Sequence, residues 1–373
     1  MKKFLKNLII GVVALGVMLT SCNSTGSSSA IPVVNADDKY CLDEFADSTH
    51  YILLEESSIE SLAGNIFGAQ IDDGKLFVAH NPSTGGEVDQ IISVYDLDGH
   101  YLNRIGRKGR ARNEFVHASG WCLDIERNEV LILDRSSNAI KRYAYDGTYI
   151  SQIPLPDDHH IDQPFMAGGK IYVQALLPDD AVDNLMLINP DGTFNTLLDN
   201  REIATQEYLM IGSNSEMQAA DMTSFCHMRP FDRNLYKITG ATVDTCGFFD
   251  FLKIPPASKL KSITTDDIDY FLAIPYIGPQ TSDYLFIRCM NVKELYVYDK
   301  RTGICTRYHS WTNRAFGPKP IGASGNIIIT KITPFDAQDA LENRENLISE
   351  SDKPMLQAIT SRENDALLLY HLK

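Results

Sequence analysis

The chain lacks the parts by which most enzymes and nucleic-acid binders announce themselves. It has no Cys-x-x-Cys pair, which argues against a structural zinc site. No Gly-x-Ser-x-Gly occurs, so the strained elbow that exposes a serine nucleophile is missing. No Ser-x-Asp-x-Gly-x-Thr-Trp turn is present either, so sialidase-type chemistry has no frame here. Positive charge is scarce: 34 Lys and Arg stand against 49 Asp and Glu, a net charge of −15. Nucleic acid needs clustered basic residues and is not an expected partner. Long apolar runs are also absent. The run Leu8 to Leu19 has 12 residues, too short to span a bilayer.

What is present is a repeat. Gly120 to Leu155 holds four short strands: Trp121 to Arg127, Glu129 to Asp134, Ala139 to Tyr145 and Tyr149 to Leu155. Asp146-Gly147 makes the tight turn between the last two, because Gly takes positive φ without penalty. Four antiparallel strands in such a stretch have the size of one propeller blade. Turn glycines recur at 99, 147, 192, 240 and 303, spaced by 48, 45, 48 and 63 residues. A period of this size in a β-rich chain means radial repetition, with blades stacked face to face around an axis. Five turns require at least five blades, and Asn326 to Ile332 with Ala366 to Lys373 supply strands for a sixth. Thr49 to Glu56 is a strand without a blade of its own. It is expected to complete the last blade, closing the ring and leaving no open sheet edge. The expected fold is therefore all-β: a six-bladed propeller of four-stranded antiparallel blades, as a single domain over residues 49–373.

Residues 1–21 read as a secretory leader, with Lys2, Lys3 and Lys6 before the apolar run. The run ends in Leu19-Thr20-Ser21-Cys22, which resembles a bacterial lipobox. Cys22 is expected to be acylated after cleavage, and several acyl chains anchor stably where one does not. Residues 22–48 read as a polar, flexible tether and lead-in. Asn23 rather than Asp follows the cysteine, which favours the outer membrane, and no acidic cluster follows, which favours its periplasmic face. Removing a leader with three lysines and no acid takes the net charge from −15 to −18. Such a domain is repelled by anionic lipid and held by its anchor alone.

Of the seven cysteines, Cys226 and Cys246 fall in the second and fourth strands of blade four, and Cys289 and Cys305 likewise in blade five. Strands two apart lie ~9.5 Å apart, too far for a disulfide, so these four are expected to be buried packing residues. Cys41 and Cys122 have no assignment.

Three stretches carry a family resemblance: Ile105 to Phe115 (IGRKGRARNEF), Arg229 to Tyr236 (RPFDRNLY) and the closing strand with Asn364. In the first, Gly106, Gly109, Glu114 and Phe115 match a Gly-x-x-Gly-x-Gly-Pro-x-Glu-aromatic segment, with Ala111 and Arg112 in place of Gly-Pro. Asp365 stands where Pro is more usual. Over roughly 49–373 the chain resembles the six-bladed β-propeller lipoproteins of unknown function from gut Gram-negative anaerobes, related to NHL-repeat propellers. The resemblance implies the fold and the anchor. It transfers no catalytic residue.

Candidates for chemistry come from the residues themselves. Glu114, Asp124 and Asn291 are of the type that holds calcium in lactonase-like propeller channels. His159-His160 follow Asp157-Asp158 and read as a solvated loop rather than metal ligands. Binding has better support, because propellers bind at one mouth of the ring on the loops between strands. The longest irregular stretches run over 107–120, 157–164, 208–220, 276–283 and 311–322. In or beside them lie Arg110, Arg112, His117, Trp121, Tyr276 and Trp311. Aromatic faces with Arg nearby suit sugar rings and peptide side chains. Arg107-Lys108-Gly109-Arg110 with Arg112 is the densest basic cluster on an acidic chain. Between the second and third strands of blade six, Asp336 to Leu347 is helix-forming, bounded by Pro334 and Pro354. Ala340, Leu341, Leu347 and Ile348 form its apolar stripe. The expected function is a non-catalytic, lipid-anchored envelope scaffold that engages a glycan, peptide or protein at the mouth, without a cofactor. The alternative is a metal-dependent hydrolase or lyase, with calcium in the central channel.

Overall fold

Runs of alternating apolar residues closed by Asp-Gly turns make short strands, and in this computed structural model they assemble into six sheets. The structure describes residues 29–81, 90–155, 161–175, 183–199, 222–229, 231–260, 275–289, 294–310 and 319–373. The chain opens with β1 (Val33–Tyr40), α1 (Cys41–Phe45) and β2 (Ala46–Ile52). Blade one is β3 (Asn65–Asp72), β4 (Lys75–Asn81), β5 (Ile91–Asp96) and β6 (Tyr101–Arg104). Blade two is β7 (Ala118–Asp124), β8 (Glu129–Asp134), β9 (Ala139–Ala144) and β10 (Tyr149–Pro154). Blade three is β11 (Ile161–Ala167), β12 (Lys170–Ala175), β13 (Asp183–Ile188) and β14 (Phe194–Asp199). Blade four shows β15 (Phe225–His227), β16 (Asn234–Thr239) and β17 (Thr242–Phe248), followed by α2 (Ala257–Leu260). Blade five is β18 (Pro275–Gln280), β19 (Tyr284–Cys289), β20 (Leu295–Asp299) and β21 (Ile304–Ser310). Blade six begins with β22 (Lys319–Ser324) and β23 (Ile327–Ile332). After α3 (Pro334–Asn343) and α4 (Lys353–Ile359), β24 (Ala366–Leu372) completes it from the C-terminal side.

The ring closes as expected: β2 pairs antiparallel with β24, so the sheet reads β2-β24-β23-β22. The closing strand is Ala46–Ile52, a little earlier than the expected 49–56. Side chains bolt the same seam. Asn364, 1% exposed, accepts from Ala63 N (2.9 Å) and donates to Glu55 O (3.1 Å) and Ser61 O (3.3 Å). Lys331 reaches Asn65 Oδ1 at 2.8 Å and also the Ile66 carbonyl. These contacts explain why Asn364 carries part of the family resemblance.

The residues before β2 depart from the expected flexible lead-in. Ile31 N donates to Phe248 O (2.8 Å) and Ser29 O accepts from Phe248 N (3.2 Å), on the outer edge of blade four. β1 then pairs in parallel with β21 as a fifth strand on blade five, and Cys41 and Leu42 of α1 are fully buried. Residues 29–52 thus form a belt along the outer edges of blades four, five and six. An exposed edge strand needs cover, and the belt supplies it.

The core lies between the faces of neighbouring blades. Phe77 and Val94 of blade one meet Val130, Ile132 and Tyr143 of blade two, and all five are completely buried. Each such side chain stabilises the seam by roughly 1.5–3 kcal/mol. Trp121, 4% exposed, belongs to this cluster, and its Nε1 lies so near Gly68 that a Cβ there would sit 3.4 Å away. Neighbouring blades are also stitched by side chains: Leu123 N donates to Gln70 Oε1 (3.2 Å), Gln163 Nε2 to Trp121 O (2.9 Å), and Cys226 N to Gln280 Oε1 (2.9 Å). The described inner strands β3, β7, β11 and β22 carry a register shift near their start and β18 one near its end, and each shift bends its strand locally.

Cys226 and Cys246 lie on β15 and β17, and Cys289 and Cys305 on β19 and β21. One strand separates each pair, and all are free thiols, as are Cys41 and Cys122. Burial pushes the Cys289 and Cys305 thiols up to about 12, which keeps them unreactive. The insertion in blade six holds two α-helices rather than one. Pro334 and Pro354 each stand in a helical first turn, where a missing N–H is harmless, so Pro354 opens α4 instead of marking a boundary. Ala337, Ala340, Leu356 and Ile359 are buried against Ile332 and Leu368, whereas Leu347, expected on the apolar stripe, is 45% exposed.

Candidate functional site

In antiparallel blades, the links from strand two to three and from one blade to the next share one end of the ring. Among the described residues the arginine loop, 105–117, and the helical insertion lie at that end. The loop leaves β6 through Ile105 and enters β7 past Phe115, both buried. Its two arms bond to each other: Gly109 N donates to Phe115 O (2.9 Å) and Phe115 N to Arg107 O (3.0 Å). Glu114 caps the tip, accepting from Ala111 N at 2.9 Å. A Cβ on Gly109 would lie 1.8 Å from Glu114 Oε2, so only glycine allows that cap. The Gly109, Glu114 and Phe115 pattern of the family segment is thus the skeleton of a fixed loop.

Blade two holds this skeleton in place. Lys141 Nζ donates to Arg112 O (3.3 Å) and Tyr143 Oη to Asn113 O (3.3 Å). Asp134, completely buried, accepts from Val116 N (3.2 Å), His117 N (3.1 Å), Ser136 N (3.2 Å) and Ser137 Oγ (2.7 Å). Lys141 Nζ stands 3.9 Å from its carboxylate. On this frame Arg107, Arg110 and Arg112 are exposed, and none forms an ion pair among the described residues. The loop therefore offers three planar donors, while its one acid, Glu114, is turned onto the loop's own backbone, and such donors suit carboxylate, sulfate or phosphate groups.

The structure sorts the other expected site residues. His117 sits exposed at the base of the loop, beside the arginines. Trp121 does not join them: it is seam filling between blades one and two, because its strand turns the indole into the core. Tyr276 lies on β18 with its side chain outside the described residues, and Trp311, Asn291, His159 and His160 lie outside them altogether. Glu114 and Asp124 do not converge on a channel ion. Glu114 caps its own loop, and Asp124, at the far end of β7, pairs with Arg127 at 2.6 Å. Among the described residues, the group of acids and histidines close enough to share a metal is Asp96, Asp98 and His100. It is the turn of blade one: Asp96 accepts from Asp98 N (3.0 Å) and His100 N (2.8 Å). Blades two and three make the same kind of turn, with Thr148 and Thr193 donating to Asp146 and Asp191, so the group is turn chemistry.

Sequence reasoning passed over Arg107 as a single site residue, and it missed Asp134 and Lys141 as the loop's fixings. Asp134 was signalled by an acid at a strand end followed by Ser136-Ser137, a pattern suited to capping backbone N–H groups.

The fold and the loop define a class: six-bladed propellers with a preset cationic mouth loop. The chain belongs to the family described as domain of unknown function DUF4934, which matches residues 28–371. Its fold is similar to that of a protein described as exported, from Bacteroides fragilis NCTC 9343, at 15% identity and TM-score 0.68, covering 92% of this chain and 100% of that one. It is also similar to a member of the DUF4221 family from Bacteroides vulgatus ATCC 8482, at 10% identity and TM-score 0.52, covering 88% of this chain and 97% of that one. No curated protein matches the chain.

Proposed function

We propose that the protein is a non-catalytic scaffold of the cell envelope, anchored through an acylated Cys22, whose arginine loop binds an anionic group on a glycan, peptide or protein partner. The carrying observation is the loop itself: Arg107, Arg110 and Arg112 stand exposed, with no ion pair among the described residues, on a skeleton fixed by Glu114, Asp134 and Lys141. On a chain of net charge −15, a loop with three exposed arginines and one acid, Glu114, which caps its own backbone, is a local cationic patch. Preorganisation removes the ordering entropy that a mobile loop would lose on binding. The leader and lipobox support the envelope location, and the fold relative described as exported accords with it.

The test is titration with polygalacturonate, a sulfated glycan and poly-glutamate at two salt concentrations. Saturable binding to at least one, weakened by salt and lost in Arg110→Glu with Arg112→Glu, is the expected result. Absence of binding to all three, or binding indifferent to both charge reversals, overturns the reading. The hydrolase alternative would instead require a large fall in thermal midpoint with chelator.

A further inference from the structure

The belt adds an orientation. We propose that the outer rim of blade four is the side of the protein nearest the membrane, and that the arginine loop is held on the far side of the ring. This rests on the reading of Cys22 as the lipid anchor.

The belt meets the propeller first at blade four. Ser29 and Ile31 bond to both sides of Phe248, and Ile31 is buried at 6% exposure. Gly247 leaves room for it: a Cβ there would lie 2.7 Å from Ile31 Cγ1 and 2.9 Å from Ser29 O. From that point the chain is committed, because Pro32 O accepts from Cys305 N (2.9 Å) and β1 continues along blade five. The fixed end of the tether is therefore Ser29, on blade four. Six residues lie between it and Cys22, so seven Cα–Cα steps separate the two. Seven such steps span at most about 25 Å even when fully extended.

The ring is wider than that. A compact domain of this length has a radius of gyration of about 20 Å and is roughly 50 Å across. Contacts between successive blades place them around the ring in chain order, so in a six-membered ring blade four faces blade one. The arginine loop joins blades one and two, across the ring from the tether. The net negative charge repels the domain as a whole from anionic lipid, and the cationic arginine loop lies across the ring from the tether, which holds it away from the bilayer. The short tether alone sets the orientation, and it leaves the loop open to a partner approaching from the aqueous side.

The experiment uses the full lipidated chain, reconstituted into phosphatidylethanolamine–phosphatidylglycerol vesicles that carry an acceptor dye on a lipid headgroup. A donor dye is placed on the blade-four rim through Thr245→Cys or on the blade-one rim through Leu102→Cys, both exposed positions. Both variants carry Cys246→Ser, because that native thiol is only half-buried, whereas the thiols of Cys41, Cys122, Cys226, Cys289 and Cys305 are buried and label slowly. Transfer several-fold stronger from position 245 than from 102 is expected, and a 20-residue Gly-Ser insertion after Gly26 should erase the difference. Equal transfer from both positions, or a contrast that survives the insertion, overturns the orientation while leaving the anchor intact. A Cys22→Ala chain that still binds vesicles overturns the anchor reading itself, and the orientation with it.

Discussion

Blades one to three and blades four and five all turn on a glycine of positive φ between their last two strands, but join their neighbours differently. Gly99, Gly147 and Gly192 each sit under the backbone of the preceding blade. A Cβ on them would lie 2.3 Å from Leu53 O, 2.5 Å from Arg104 O and 2.1 Å from Pro154 O. Gly240 meets only the flexible end of Lys170 at 3.6 Å, and Gly303 has nothing within 4 Å. All five have positive φ, so the local demand is shared and the tertiary one is not. Where the turn does not lock the seam, the belt runs along the outer edge instead. One repeat is thus held by two devices: a close-fitting turn in one half of the ring, and a borrowed strand in the other.

The largest expected effect tests the first device. Gly147→Ala forces a left-handed residue into a carbonyl and should destabilise by on the order of 4 kcal/mol, read from the denaturant midpoint. Gly303→Ala carries only the left-handed strain, roughly 1 kcal/mol. Equal losses from the two would break the comparison.

Acid should weaken both halves. His80 in blade one and His227 in blade four are buried near the ends of second strands, and burial lowers them from 6.5 to about 4 and about 3. The unfolded chain therefore binds protons that the folded chain refuses. Stability contributed by the neutral rings is complete above pH 6.5 and is lost as pH falls from there towards 4, by about 3 kcal/mol for His80. His80 Nε2 lies 3.0 Å from Ser93 Oγ, so His80→Gln keeps a polar partner while removing the titration. A stability–pH curve unchanged by that substitution would remove His80 as the cause.

The second device is tested by Ile31→Ala. It should cost about 2–3 kcal/mol and speed hydrogen exchange in β17 and β21 more than in β6 and β10. Uniform exchange across the blades would mean that the belt is dispensable cover. Smallest of all, Arg110→Glu with Arg112→Glu should change stability by less than about 0.5 kcal/mol, because both side chains are exposed and form no ion pair among the described residues. A larger loss would show that the loop serves the fold rather than a ligand.

Much of this could be read in advance, for a local reason. Asp-Gly turns, strand alternation and the period of the glycines depend on neighbours in sequence, and each turn glycine does mark a turn of positive φ. The helix-forming stretch of blade six is likewise local: Thr333 and Asp336 cap each other at the start of α3. The arginine cluster was visible as composition. Its readiness was not, because that rests on Asp134 and Lys141, some 20 to 30 residues further along the chain.

The sequence by itself determined the repeat, the number of blades and the strand that closes the ring, because short-range hydrogen bonding and side-chain alternation are written residue by residue. Only the tertiary structure decided that Trp121 fills a seam, that Gly147 lies under a neighbouring carbonyl while Gly303 lies free, and that residues 29–45 edge two blades before β2 closes the ring. Those outcomes depend on which surfaces meet across hundreds of residues, and no local pattern specifies that meeting.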